Sequence, residues 1–345
     1  MTQPRRRAPA QLRAFGILMV RDEVDLVALS LRYHLGQGLE RVLVVDNGST
    51  DGTRDELRRV GRVLPVEWTS DAGPFHQGLA FTEMAREAAR RGADWVVPLD
   101  ADDFWHAPGG LIAAMAQTGA GALQAPHIHF IQRRGQRTGA PEALMTMTRR
   151  VSEPVDPVAG TEAVEACELA YVEVGSPPKH LVRCGPGVEI GPGNHWVSGA
   201  PGPMERPLSL ACLHAPLRCP RDLLRKVEFG RRVEARSFRT DQNESWHVRR
   251  WRRLADEHAL SGEWSANSYL ADHLNVYGRR RPLMLDTRLR DALAPWVRPA
   301  ESRAPRARPA QSRAPRARPA QPLPEGSARS EKERSVASAA GQAAG

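Results

Sequence analysis

Short apolar runs alternate with amphipathic segments along the first third of the chain. Continuous apolar runs predict strands at residues 15–20, 41–46, 63–68 and 95–99. Between these runs, apolar positions recur at helical spacing and predict helices at residues 24–35, 53–60 and 81–88. Strands and helices in this alternation are typical of an α/β fold, in which a mostly parallel sheet is flanked by helices.

The pattern is weaker beyond residue 120, where glycine and proline interrupt the chain. Short apolar runs predict strands at residues 124–132 and 179–184, and helical spacing returns at residues 220–277. We therefore predict a single folded domain. Its sheet-forming half, residues 14–120, is followed by a mixed and then helical part, residues 121–298.

The charge of the chain is concentrated at its two ends. The net charge is +9, of which residues 1–13 carry +4 and residues 299–345 carry +5. The second of these segments repeats a ten-residue unit rich in arginine, proline and alanine, at 302–311 and 312–321. Because neither segment has apolar periodicity, we predict disorder in both. The basic charge therefore indicates solvated tails; nucleic acid is not expected as a partner, and peripheral contact with a membrane stays open.

The cysteines and the apolar runs bear on location. Cys167, Cys184, Cys212 and Cys219 contain no C-x-x-C pair and no dense disulfide framework. No apolar stretch approaches the roughly 20 residues that span a bilayer. The run at residues 15–20 is also too short for the core of a signal peptide. These features predict reduced thiols, a cytoplasmic location and no transmembrane segment.

Acidic residues stand at the ends of several predicted strands. Asp22 follows the first strand, Asp46 ends the second and Asp100 follows the fourth. Because ligands of open α/β sheets bind beyond the carboxyl ends of the strands, we expect these three carboxylates in one crevice. The Asp100-Ala-Asp102-Asp103 segment offers the oxygen ligands that Mn²⁺ or Mg²⁺ prefers beside substrate phosphates. By itself it also suits a solvated acidic turn.

Several short motifs accompany these acids. They are Arg21-Asp22-Glu23, Tyr33-His34, Val-Asp-Asn-Gly-Ser-Thr-Asp-Gly-Thr at 45–53, and Asp-Trp-Val-Val-Pro-Leu-Asp-Ala-Asp-Asp-Phe at 94–104. In this order the motifs resemble family 2 of the inverting glycosyltransferases, and within it the bacterial branch whose acidic motif reads Asp-x-Asp-Glu-Phe. The likeness is firm over residues 14–105 and looser from residue 179 to residue 226.

The resemblance implies an A-type nucleotide-sugar fold. Residues 14–120 would bind a nucleotide-sugar donor, with a UDP-sugar favoured. Residues 121–298, part of the same catalytic domain, would face a glycan or other hydroxyl acceptor. The implied reaction is a metal-dependent transfer of a sugar, with inversion, to that hydroxyl.

The resemblance also implies roles for individual residues. Asp46 would accept a hydrogen bond from the donor base, with Asp22 and Asp100 as further donor-binding residues. Asp102 would bind Mn²⁺ or Mg²⁺, and a later histidine often completes such a site. His214 is our first choice for that ligand, and His195 is the second.

Two departures from the family pattern concern the acidic residues. Asp22 stands where an asparagine is usual, and Asp103 replaces the usual glutamate. An inverting transfer also needs a base that takes the proton of the acceptor hydroxyl. The sequence leaves that base open: Asp103 and His195 are the named candidates, and several glutamates are also eligible, namely Glu165, Glu168 and Glu173. Single basic residues that suit a diphosphate are Lys179, Arg183 and Lys226.

Two other functions fit parts of this sequence. Phosphohydrolases also place Asp-x-Asp at a strand end, where the first aspartate is the nucleophile and the second the general acid. They usually do so at the first strand of the domain, whereas here the motif follows the fourth. A degenerate transferase domain that acts as a scaffold is the other alternative. The intact Asp46, Asp100 and Asp102 argue against it.

Overall fold

A computed structural model of the chain describes residues 12–139, 141–236 and 246–297. The predicted disordered tails, 1–13 and 299–345, lie outside the described residues except for Leu12 and Arg13. The Arg13 guanidinium donates to Glu40 at 2.7 Å, and its backbone amide donates to Asp94 at 2.8 Å. The folded domain therefore begins slightly before the predicted residue 14.

The helices and strands are numbered here in chain order. The strands are β1 (Ala14–Val20), β2 (Arg41–Asp46), β3 (Val66–Ser70), β4 (Trp95–Leu99), β5 (Asp103–His106), β6 (Ala122–His129), β7 (Gln132–Arg133), β8 (Arg149–Arg150), β9 (Ser176–Arg183), β10 (Glu189–Ile190), β11 (Val197–Ser198), β12 (Met204–Glu205), β13 (Ala211–His214), β14 (Ser268–Leu270), β15 (His273–Val276), β16 (Arg279–Pro282) and β17 (Met284–Leu285). The α-helices are α1 (Val27–Gly36), α2 (Thr53–Val60), α3 (Gln77–Arg90), α4 (Leu111–Ala116), α5 (Pro157–Glu165), α6 (Pro220–Arg236), α7 (Trp246–Asp256), α8 (Leu260–Ala266) and α9 (Arg288–Leu293).

The main sheet has the order β3-β2-β1-β4-β9-β6-β13-β5, with β12 paired to β6. Strands β1 to β4 are parallel, as the alternating pattern predicts. Beyond β4 the directions are mixed, because β9 pairs antiparallel with β4 and β6, and β5 pairs antiparallel with β13. The predicted fold class, an α/β fold with a mostly parallel sheet flanked by helices, is confirmed.

The first strand organises the core because it is buried on both faces. Leu18 and Val20 pack into the cluster that contains the buried face of α1, whereas Ile17 and Met19 pack against α3, where they meet Phe81. Each such large apolar side chain contributes roughly 1.5–3 kcal/mol when it is fully buried. Burial of both faces explains why this strand is a continuous apolar run.

Two predicted elements differ from those in the structure. The predicted strand at 63–68 begins only at Val66, because the amides of Val63 and Leu64 donate back to the Val60 carbonyl and continue the turn after α2. In the described part of the predicted helical stretch 220–277, the last helix ends at Ala266. The end of that stretch, from Ser268 to Val276, forms β14 and β15 instead.

The strands that replace the end of this predicted helix follow period-two burial. In β15, Leu274 and Val276 are buried, while His273 and Asn275 are more exposed. Leu274 packs with Trp251 and Trp264 in a separate core cluster. Within the described residues, no helix is long and apolar enough to cross a membrane.

Candidate active site

The acidic residues meet where the parallel strands end. Asp46 ends β2, and the 100–103 turn follows β4 and leads directly into β5. In the register of β5 with β13, Asp103 is opposite His214. On the other side of β13, strand β6 places His129 opposite the same His214. Non-local strand pairing therefore brings a row of histidines against the acidic turn.

A buried lysine holds two carboxylates of the turn. Lys179 of β9 places its Nζ 2.6 Å from Asp100 Oδ2 and 2.8 Å from Asp103 Oδ2. Burial alone would lower the pKa of Lys179, but the two aspartates outweigh burial and raise it. Burial alone would raise the pKa of Asp103, but His127 and Lys179 hold it well below its usual value. Lys179 and Asp103 are therefore charged and paired at neutral pH.

The third carboxylate of the turn has a different set of partners. Asp102 Oδ2 lies 3.3 Å from His214 Nε2 and 3.4 Å from the Nζ of Lys226 on α6. Burial raises the pKa of Asp102, but Lys226 and then His214 lower it below its usual value overall. Asp102 and His214, which were predicted as ligands of one metal ion, therefore lie next to each other. Lys226 contacts the same Asp102 oxygen.

The histidines of β6 were not predicted as site residues. His127 Nε2 lies 2.7 Å from Asp103 Oδ1, and His129 Nδ1 lies 2.8 Å from His214 Nδ1. Burial lowers the pKa of His127 to about 3, so this imidazole is neutral. The alternation His-x-His in a strand places both rings on one face of the sheet, and this is the signal that could have identified them.

The side chains of this cluster suit a metal ion. One candidate set joins Asp102, Asp103 and His214, whose ligand atoms all lie within 4.8 Å of one another. A second joins His127, His129 and His214 within the same limit. Carboxylates with an imidazole form a mixed oxygen and nitrogen set, which a divalent ion such as Mn²⁺ accepts.

The loops after β1 and β2 are fastened to each other by side-chain hydrogen bonds. Asp22, whose φ is +52°, accepts from the Thr50 amide at 2.6 Å, and its own amide donates to Ser49 Oγ at 3.0 Å. Its other oxygen lies 3.1 Å from the Arg232 guanidinium of α6. Asp22 therefore connects the loops after β1 and β2 to each other and to α6.

The predicted base-reading residue is deeply placed. Asp46 is fully buried, and its carboxylate accepts from Arg54 Nε at 2.7 Å and from the Ser49 amide at 3.2 Å. The Arg54 side chain is 41% exposed, so it connects the buried carboxylate to the protein surface. Of the three carboxylates expected in one crevice, Asp22 and Asp100 line the same cavity, whereas Asp46 is not among its lining residues.

Other sequence candidates are placed less centrally. Arg183 donates to the carbonyls of Thr118 and Ala120 and lies over the Trp95 ring, so it does not reach the acidic turn. Glu173 is fully buried at the end of a short 3-10 helix, Tyr171–Glu173, and Arg281 Nε lies 3.1 Å from its carboxylate. Both residues have structural partners away from the cluster.

Gln77 joins the acidic turn to the segment that carries His195. Its amide nitrogen donates to Asp100 Oδ1 at 2.6 Å, and its oxygen accepts from the Gly193 amide at 2.8 Å. His195 is two residues beyond Gly193, and its Nδ1 lies 3.4 Å from the Pro178 carbonyl. Burial, with a further effect of Lys179, lowers the pKa of His195 to about 4.

Two adjoining cavities open at this centre. The acidic crevice, of about 190 Å³, is lined by Asp22, Phe75, Gln77, Asp100, Asp102 and Lys226, together with Arg21 and Arg225. The aromatic cavity, of about 740 Å³, is lined by Gln77, Glu162, Tyr171, His195, Trp246 and His247. Phe75 and Gln77 line both cavities, so a group held in one can meet a group held in the other at this wall.

Comparison with known protein families gives a match over part of the chain. Residues 25–156 match the family described as Glycosyl transferase family 2. This match includes the loops after β2 and β4 and all of the 100–103 turn. No curated protein sequence matches the chain.

The solved structures that resemble the chain are remote. A mycobacterial protein shares 19% identity at a TM-score of 0.27, over 35% of this chain and 42% of that one. Residues 1–349 of S. aureus TarS in complex with UDP share 14% identity at a TM-score of 0.35, over 74% and 71% of the two chains. The complex of the same protein with UDP-GlcNAc shares 12% at 0.34, over 80% and 97%. Structural similarities this weak do not identify a substrate for this chain.

Proposed function

The chain carries a glycosyl transferase family 2 domain and is a glycosyltransferase, and we propose that it transfers a sugar from a UDP-sugar to an acceptor hydroxyl, with inversion, where its two cavities meet. One observation supports this most strongly. The acidic crevice places Arg21, Arg225 and Lys226 around the 100–103 turn. Cations and a carboxylate turn in one crevice match a diphosphate together with its counter-ion.

We propose a divalent ion, Mn²⁺ or Mg²⁺, bound by Asp102 and His214. Their ligand atoms are close enough to share one ion. An imidazole ligand favours Mn²⁺, because Mg²⁺ prefers oxygen alone. Such an ion supplies charge neutralisation at the leaving diphosphate. Lys226 lies against the same Asp102 oxygen and would share that neutralisation.

We propose His195 as the base and Asp103 as a residue that positions its neighbours. Asp103 is only 2% exposed, and its two oxygens are held by His127 and Lys179. His195 instead lines the aromatic cavity, and its low pKa keeps the imidazole neutral and able to accept a proton. A positioned general base contributes roughly 10²–10⁴-fold to the rate, and the low pKa of His195 makes it a weak base, so we expect a contribution at the lower end of this range.

The proposal is tested by comparing two classes of substrate. UDP-sugars and p-nitrophenyl phosphate are incubated with the enzyme, with Mn²⁺ and with a chelator. We expect UDP release that requires the ion, and no hydrolysis of the phosphate ester. Ester hydrolysis without UDP release would favour the Asp-x-Asp phosphohydrolase instead. Binding without turnover of either substrate would favour the scaffold.

We predict that Asp46→Asn weakens the binding of UDP by roughly tenfold to a hundredfold, without a change in metal dependence. The variant loses the charge that positions Arg54 and accepts from the base, and a charged hydrogen bond contributes about 1.5–3 kcal/mol. Calorimetric titration with UDP measures the effect. Asp55→Asn is the matched control, because Asp55 pairs with Arg58 on the exposed side of α2. Unchanged UDP affinity of Asp46→Asn would remove the base-reading role.

A further inference from the structure

We propose that the aromatic cavity accepts a carbohydrate ring that carries no phosphate or carboxylate group. This inference rests on the proposed transfer reaction, and it names the acceptor class that the reaction uses. It is carried by the contrast in charge between the two adjoining cavities and by the aromatic side chains that line the larger one.

The two cavities differ sharply in their cations. The acidic crevice is lined by Arg21, Arg225 and Lys226. Among the described residues that line the aromatic cavity, none is lysine or arginine, and the one formally charged side chain is Glu162. An anionic group in this cavity would lose its hydration, face Glu162 and find no cation among these residues.

Two lysines lie near the wall of the aromatic cavity, and both are already paired with aspartates. Lys179 is held between Asp100 and Asp103, at 2.6 and 2.8 Å. Lys226, whose charge acts on Tyr171 and His247, lies 3.4 Å from Asp102 Oδ2. Of the three histidines among the described lining residues, His195 and His247 are neutral, because burial lowers the pKa of His195 to about 4 and that of His247 to about 3. The chain's net charge of +9 therefore says nothing about its acceptor.

Aromatic rings form one wall of the cavity. The Tyr171 ring lies 4.7 Å from the His247 ring and 6.1 Å from the Trp246 ring, measured between centroids. Such rings offer broad apolar faces with polar edges, to which the C–H face of a sugar ring can pack while its hydroxyls reach polar groups. The volume of about 740 Å³ lies within the usual range of small-molecule sites.

The aromatic cavity adjoins the proposed reaction site. His195 and Gln77 stand in its wall, and Gln77 donates to Asp100 of the acidic turn at 2.6 Å. A hydroxyl of a sugar held against the aromatic wall therefore approaches the acidic crevice through the shared Phe75 and Gln77. This continuity identifies the occupant as the acceptor and not as a second nucleotide.

The test compares acceptors that differ only in one phosphate. Methyl glycosides of glucose, galactose, mannose and N-acetylglucosamine are each assayed beside their 6-phosphates, with a saturating UDP-sugar and Mn²⁺. We expect kcat/KM to be at least about tenfold higher for the uncharged member of the best pair. Equal or preferred use of the phosphorylated member would overturn the inference.

Charge reversal at the cavity tests the same argument in the protein. Glu162→Lys should reduce the ratio of kcat/KM for the uncharged acceptor to kcat/KM for its 6-phosphate by about tenfold. Glu83→Lys, an equal change at an exposed residue of α3 outside both cavity linings, should leave that ratio of kcat/KM values unchanged. Equal effects of both variants would contradict the role of cavity charge.

Calorimetry without acceptor separates this inference from the proposed function. Failure to bind any UDP-sugar would count against the function itself. If the enzyme binds the UDP-sugar but no uncharged glycoside, the function stands and the inference about the acceptor is wrong.

Discussion

Asp102→Asn should lower the rate of sugar transfer by roughly 10²–10³-fold, whereas His214→Ala should lower it by about tenfold. Asparagine keeps the shape of the side chain and removes its charge. The imidazole of His214 is a neutral ligand, and water can partly replace it. We therefore expect added Mn²⁺ to restore much of the activity of His214→Ala and very little of that of Asp102→Asn.

The measurement is kcat over a titration of Mn²⁺, together with direct Mn²⁺ binding followed by electron paramagnetic resonance. Asp256→Asn is the control, because Asp256 is exposed on α7 and pairs there with Arg231. Full activity of Asp102→Asn in a chelator would overturn the metal assignment. The opposite order of rescue would mean that His214 is the dominant ligand.

Lys179→Met should destabilise the fold by about 3–5 kcal/mol. The Lys179 side chain is only 4% exposed, and its loss leaves Asp100 and Asp103 facing each other without a cation. Lys226→Met is the matched control. The Lys226 side chain is 27% exposed, and its contact with Asp102 is longer, at 3.4 Å, so its loss should cost much less.

Urea unfolding in a chelator measures both variants, so that an added ion does not mask the loss of the lysine. The double variant Lys179→Met with Asp103→Asn should regain a large part of the lost stability, because one of the unpaired charges is gone. Equal stability of the two single variants would show that the buried lysine is not a structural counter-ion.

Elements formed by local pattern were predicted well from the sequence. Strands β2 and β4 and helix α2 have the predicted bounds. The two strands are continuous apolar runs, and α2 is preceded by Asp51, whose carboxylate accepts from the Thr53 amide at 2.9 Å. Such signals lie within a few residues of each other, so a single sequence displays them.

The histidine row needed information that a local pattern does not contain. His127 and His214 are far apart in the chain and meet only because β13 pairs with both β5 and β6. For the same reason Lys179 looked like one basic residue among several, although it is the partner of two carboxylates. Pairing of distant strands is set by the whole sheet, and a motif shows only one side of it.

The two cavities are built from separate parts of the chain, so each can change in evolution without the other. The acidic crevice is formed mainly by the loops of the parallel strands and by α6, whereas the wall of the aromatic cavity comes largely from residues 157–195 and 246–247. With the proposed donor and acceptor sites, we expect substitutions in those segments to exchange one acceptor for another while donor recognition is inherited unchanged. Phe75 and Gln77 are the exceptions: both line the two cavities, so a mutation at either residue is expected to alter both halves of the proposed reaction at once.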